Sequence, residues 1–210
     1  MIYKPNYINI EAKNTLNILA SKDPVIVFGT GNFGKIVSTG LEAAGIKVEG
    51  FGDNNEKNWG KEFNGYNVFS SEVLKKKYYN RNFIIASLSH VYISKQLSKL
   101  GINNLFNCDF LFSEISLDLE KCKTSWDIKR CKEQIDSYLF SIDSLRKRKE
   151  RMLRVKHLDL VLTEKCSLKC KDCSNLMQYY AKPIDEDYDE LISSLDRFLN
   201  SVKFVREIRL

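Results

Sequence analysis

The stretch "PVIVFGTGNFGKIVSTGLEAAG", residues 24–45, constrains the fold of this chain more than any other. Val25 to Phe28 form a short apolar, β-branched run, and three closely spaced glycines follow. "NFGKIVSTGLEA" then carries apolar residues at helical spacing up to Gly45, which suits a helix C-cap. A strand that turns straight into a helix returns to its sheet as a parallel neighbour through a right-handed crossover. The alternation continues with "IKVEGFGD", a polar stretch over 54–70, the helix "SEVLKKKYY", the strand "FIIASLS", the helix "VYISKQLSKLG" and the strand "NNLFNCD". The expectation is an α/β domain over residues 1–110, a doubly wound and mainly parallel sheet covered by helices on both faces.

The glycines of "GTGNFG" are Gly29, Gly31 and Gly34, in the pattern G-x-G-x-x-G between the first strand and the first helix, and Asp53 closes the second strand nineteen residues after Gly34. Gly29 permits a tight turn, Gly31 lets a phosphate approach the backbone, and Gly34 lets helix and strand pack closely. The helix N-terminus offers N–H groups to an anion, and Asp53 can accept hydrogen bonds from ribose hydroxyls. The plainer alternative is that the glycines only shape a turn and that Asp53 is a solvated strand end. On these residues the domain resembles the Rossmann-type modules of bacterial surface-polysaccharide and sugar-modifying proteins. That resemblance implies a nucleotide or nucleotide-sugar ligand. The region has room for little more than one half of a dinucleotide site, which favours such a ligand over NAD. His90 follows the third main strand on the ligand side, where it reads as a helix-start residue facing solvent.

Residues 111–156 read as a helical connector. Ile128, Cys131, Ile135, Tyr138, Leu139, Ile142 and Leu145 recur at threes and fours and make one apolar stripe. The basic run "RKRKERMLR", 146–154, reads as the solvated last turns of that helix. It contributes to the net charge of +6, but it lacks interleaved aromatics, so nucleic-acid binding is a minor alternative. No run approaches the roughly 18 apolar residues of a membrane span, and no signal-peptide core opens the chain, which reads as cytosolic. The six cysteines then read as reduced thiols. Cys108, Cys122 and Cys131 stand apart from one another as small buried hydrophobes.

Residues 157–210 contain a strand, "HLDLVLT", the cysteine loop "CSLKCKDC", an amphipathic helix with Leu191, Ile192, Leu195, Phe198 and Leu199 on one face, and a second strand, "VREIRL". Cys166, Cys170 and Cys173 stand at the C-terminal end of the first strand of this βαβ unit. Three thiolates make a zinc site only with a fourth ligand, and His157, at the far end of the preceding strand, reaches the loop poorly. A cluster with one open iron is the other arrangement that fits.

C-x-x-x-C-x-x-C in this setting resembles the radical S-adenosylmethionine (radical SAM) superfamily. The resemblance implies that Cys166, Cys170 and Cys173 hold a [4Fe–4S] cluster, whose fourth iron binds S-adenosyl-L-methionine for radical chemistry. Asp172 stands where that family often has an aromatic residue. Only the start of such a barrel is present, so the expectation is the front part of a longer enzyme acting on a nucleotide-sugar or glycan. The edge strand "VREIRL" is then a route to self-association. The alternatives are a nucleotide-binding or interaction module with a remnant cysteine motif, and a structural zinc site.

Overall fold

The computed structural model describes residues 2–5, 9–20, 23–148, 153–168, 170–173 and 175–210. The strands are β1 (Ile2–Tyr3), β2 (Val25–Phe28), β3 (Val48–Gly52), β4 (Glu62–Phe63), β5 (Tyr66–Phe69), β6 (Phe83–Ile85), β7 (Leu105–Asn107), β8 (Leu117–Asp118), β9 (Arg154–Asp159) and β10 (Phe204–Arg209). The helices are α1 (Ala12–Ala20), α2 (Asn32–Ala43), α3 (Ser71–Lys77), α4 (His90–Lys99), α5 (Asp109–Glu114), α6 (Ile128–Arg148) and α7 (Tyr188–Ser201). The chain divides into two compact units, Met1–Ile142 and Asp143–Leu210, with the boundary inside α6. No helix among the described residues is long and apolar enough to cross a membrane.

The first unit is a doubly wound α/β fold. Its six-stranded sheet has the order β4-β5-β3-β2-β6-β7, parallel throughout except for β4 against β5. Side chains alternate across the pleat and so supply two cores at once. Val25 and Val27 of β2 and Ile84 of β6 face one core, with Phe33, Ile36 and Val37 of α2, Phe110 to Phe112 of α5 and Cys131, Ile135 and Tyr138 of α6. Ile26, Phe28, Phe83 and Ile85 face the other, with Leu74 of α3 and Ile93 and Leu97 of α4. The apolar stripe of α6 from Ile128 to Ile142 is therefore covered within this unit.

Helix α2 ends as its sequence dictates. Gly45 takes φ +73°, its N–H donates to the Glu42 carbonyl at 3.0 Å, and the Ile46 N–H reaches the Leu41 carbonyl at 2.9 Å, which makes a Schellman cap. The polar stretch after β3 holds more structure than its composition announces. Asn64 and Gly65, at φ +52° and +84°, turn β4 back into β5, and β5 adds itself to the sheet beside β3. In sequence order the parallel strands therefore run 3-2-1-4-5. These are the first five positions of the dinucleotide-binding order, and the sheet is larger than the single half expected from sequence.

In the second unit β9 and β10 pair in parallel, Phe204 against Arg154 through Arg209 against Asp159, with α7 between them in sequence. Asp187 caps α7, its carboxylate accepting the Glu190 N–H at 2.9 Å. Of the expected apolar face of α7, Leu191, Leu195 and Phe198 are half-buried and Ile192 and Leu199 exposed. The basic run 146–154 does not close a single helix: α6 ends at Arg148, β9 begins at Arg154, and residues 149–152 lie outside the described ones.

Candidate functional site

At the C-terminal ends of β2, β3 and β6 the first unit opens into a crevice of about 580 Å³, within the range of small-molecule sites. From β2 the chain proceeds to β3 on one side, and later to β6 on the other. The crevice thus lies at the point where the strand order reverses, the usual place for a ligand in an open α/β sheet. Its floor is the turn from Phe28 to Phe33, its flanks are Asp53 and Asn54 after β3 and Ala86 to Ser89 after β6, and Tyr92, Trp126 and Gln134 complete its walls.

The three glycines have different reasons to be there. Gly29 takes φ +121°, and a Cβ on it would meet the Ala86 carbonyl oxygen at 2.7 Å. A Cβ on Gly34 would stand 2.1 Å from the Gly29 carbonyl oxygen, so α2 sits directly against the turn it springs from. Gly31 is unlike both. Its φ of −85° and ψ of −177° are open to any residue, and an added Cβ would meet nothing within 4 Å. It occupies the N-cap of α2, where Ser, Thr, Asp or Asn would stabilise the helix more, and no side chain caps that end. The N-cap of α4, Ser89, makes no side-chain cap either. Two helix N-termini with amide hydrogens uncapped by side chains thus border one crevice.

Asp53 ties the turn to the loop after β3. One carboxylate oxygen accepts both the Thr30 N–H, at 2.8 Å, and the Thr30 hydroxyl, and the other accepts the Asn55 N–H at 2.7 Å. Asn58 donates to the Thr30 hydroxyl at 2.8 Å, and the Trp59 indole N–H to the Asp53 carbonyl at 2.7 Å. With about four lone-pair positions on a carboxylate, the described residues occupy three of those on Asp53 and leave one open.

The wall opposite comes from a segment that the sequence pattern did not connect with the glycines. The Ser125 N–H donates to the Asn32 side-chain oxygen at 3.0 Å, the Asn32 amide returns a bond to the Ser125 hydroxyl at 2.7 Å, and Lys35 donates to the Lys123 carbonyl at 3.0 Å. These bonds lay residues 123–126 against the first turns of α2. Trp126 then faces the crevice and carries the Arg130 guanidinium over its ring at 5.5 Å. Asn54 and Gln96 exchange amide hydrogen bonds at 2.9 and 2.7 Å and link the loop after β3 to α4. An isolated Trp or Gln at such sequence distances carries no local signal.

His90 is not a solvated helix start. It is buried, its Nε2 lies 3.1 Å from the Ser141 hydroxyl, and its ring meets the edge of Tyr138 at 5.5 Å between centroids. Burial lowers its pKa, against an opposing effect of Asp109. It supports the α4–α6 contact and does not line the crevice.

In the second unit the loop 166–183 is closed at its base, where Thr163 and Lys165 bond to the two Asp185 oxygens at 2.6 Å each and the Glu164 N–H donates to the Ile184 carbonyl at 2.8 Å. Above that base Cys166 and Cys170 are exposed. The Cys173 thiol is lowered in pKa by the amide hydrogens of Met177 and Asn175 and, to a lesser degree, Leu176. Among the described residues no three His, Cys, Asp or Glu side chains are grouped as a metal ion requires.

The fold and crevice define a doubly wound, Rossmann-like α/β unit with a ligand-sized crevice at its switch point. The family model "C2185-like, N-terminal" matches residues 21–105, which hold the glycine turn and Asp53 but not the cysteine loop. No curated protein matches the chain. Three solved structures of RSP, described as a Rex-family repressor, are similar at low values. One in complex with β-NAD+ and operator DNA has 19% identity and a TM-score of 0.36, over 66% of this chain and 64% of that one. One with β-NADH has 19% identity and a TM-score of 0.35, over 66% and 68%. A third has 20% identity and a TM-score of 0.36, over 70% and 71%. The chain thus spans less than two thirds of the length of the first.

These findings correct the reading of residues 157–210. The family match falls on the α/β unit, and the three thiols do not converge. Membership of the radical SAM superfamily, a [4Fe–4S] cluster on Cys166, Cys170 and Cys173, S-adenosyl-L-methionine bound to it, and radical chemistry as the function are accordingly withdrawn. The physical reason is that cysteine spacing sets which thiols share a loop, whereas ligation needs their sulfurs to point at one place.

Proposed function

We propose that the α/β unit is a binding module for a nucleotide or nucleotide-sugar, held by its phosphates at the turn Gly29 to Phe33 with its base between Tyr92 and Trp126. Gly31 carries the reading. Neither backbone conformation nor packing requires glycine at this position, and a capping side chain there would strengthen α2. A ligand that must approach the backbone closely supplies the missing reason. Asp53 holds the turn in shape through Thr30 and keeps one acceptor position for a ribose hydroxyl.

The test uses the intact chain and a panel of UDP-hexose, ADP-ribose, NAD, ATP and UTP. Both tryptophans, Trp59 and Trp126, lie in this unit, so their emission reports its melting separately from the second unit. A ligand at about a hundred times its Kd adds about 2.7 kcal/mol to the folded state, which raises the melting temperature by several degrees. Gly31→Val should abolish that rise while leaving the ligand-free melting point nearly unchanged. If no member of the panel shifts the melt, or if Gly31→Val binds as well as the parent chain, the glycines are only a turn.

A further inference from the structure

We infer, on the basis of the nucleotide reading above, that the crevice takes ligands carrying no more than the two negative charges of a diphosphodiester and discriminates against nucleoside triphosphates. Among the described residues its lining contains no Lys or Arg, and the one carboxylate, Asp53, is negative. Two cations close to the lining in sequence already have partners. Lys35 donates to the Lys123 carbonyl and lies 5.6 Å from the centre of the Phe63 ring, and Arg130 rests on Trp126. What remains for a phosphate is the pair of uncapped helix N-termini, each worth about half a positive charge, offset in part by Asp53.

Backbone amides in that arrangement can hold the two singly charged phosphates of a sugar- or ribose-linked diphosphate through hydrogen bonds. A triphosphate brings two further charges, for which the crevice has no partner, and their desolvation goes uncompensated. The aromatic and apolar walls, Tyr92, Trp126, Leu88 and Ile93, suit the uncharged parts of the same ligand.

The experiment is titration calorimetry on the intact chain without divalent metal, comparing UDP-hexose with UTP and ADP-ribose with ATP so that the base is constant in each pair. The triphosphate should bind at least about tenfold more weakly in both pairs. Leu88→Lys, at an exposed lining position, should restore triphosphate affinity by about tenfold at low salt, a gain that disappears near 0.5 M salt. UTP or ATP binding as tightly as its diphosphodiester overturns the charge limit and leaves the nucleotide reading standing. A Leu88→Lys variant that keeps its discrimination also overturns it. Failure of every ligand to bind overturns the reading itself, and the inference with it.

Discussion

Gly34→Ala should unfold the α/β unit far more readily than Gly31→Ala, although both add one methyl group to the same turn. The new Cβ at position 34 would lie 2.1 Å from the Gly29 carbonyl oxygen, more than an ångström inside ordinary contact. The group it strikes is backbone, and it cannot swing aside. Gly29 is itself held at φ +121° beneath Ala86, and the adjoining Thr30 is fixed by Asp53. Relief requires α2 to lift off the turn, loosening Phe33, Ile36 and Val37 from the core. Overpacking of this kind costs about 3 kcal/mol. A unit the size of Met1–Ile142 unfolds with an entropy of about 0.3 kcal/mol per kelvin, so the melting temperature should fall by about 10 °C. At position 31 the methyl group meets nothing. Its entropic benefit in the unfolded chain and its poorer N-cap should offset each other to within about 1 kcal/mol. Tryptophan emission during heating measures both. Equal losses in the two variants, or a Gly34→Ala chain melting within about 1 °C of the parent, would refute the assignment of Gly34 to packing and Gly31 to ligand approach.

Two further outcomes follow from the geometry. His90 is buried against Tyr138 and Ser141 with Asp109 nearby, and its lowered pKa means that the unfolded chain binds a proton more readily than the folded one. Its contribution is therefore complete above about pH 6.5 and is lost as pH falls through the lower folded value. Urea midpoints should decline more steeply from about pH 7 to about pH 5 in the parent chain than in His90→Gln, and identical slopes would place the imidazole in water. Replacing Cys166, Cys170 and Cys173 together by Ser should leave the melting of both units unchanged with or without a chelator, by circular dichroism. A chelator-dependent loss of structure in the parent chain alone would show that the thiols do converge on a metal.

What is settled within a turn or two of chain was legible from the residues alone. β2, the glycine turn, α2 and its Schellman cap at Gly45 all follow from apolar period, φ preference and capping, which are local. So does the alternation that makes the sheet parallel and doubly wound. The hairpin of β4 and β5 was written only in Asn64 and Gly65, a weak signal inside a polar stretch.

Which distant residues meet depends on the packed fold. Packing brings Ser125 to the first turn of α2 and Trp126 to the same crevice, gives Asp53 to Thr30 as a tie, and buries His90 against α6. Each of these pairs is set by strand order and helix packing, which no local window contains. The cysteine loop shows the same division. Spacing places three thiols on one loop, but among the described residues no metal-ligand group is assembled there, because the side-chain directions that metal binding needs arise only from the surrounding fold.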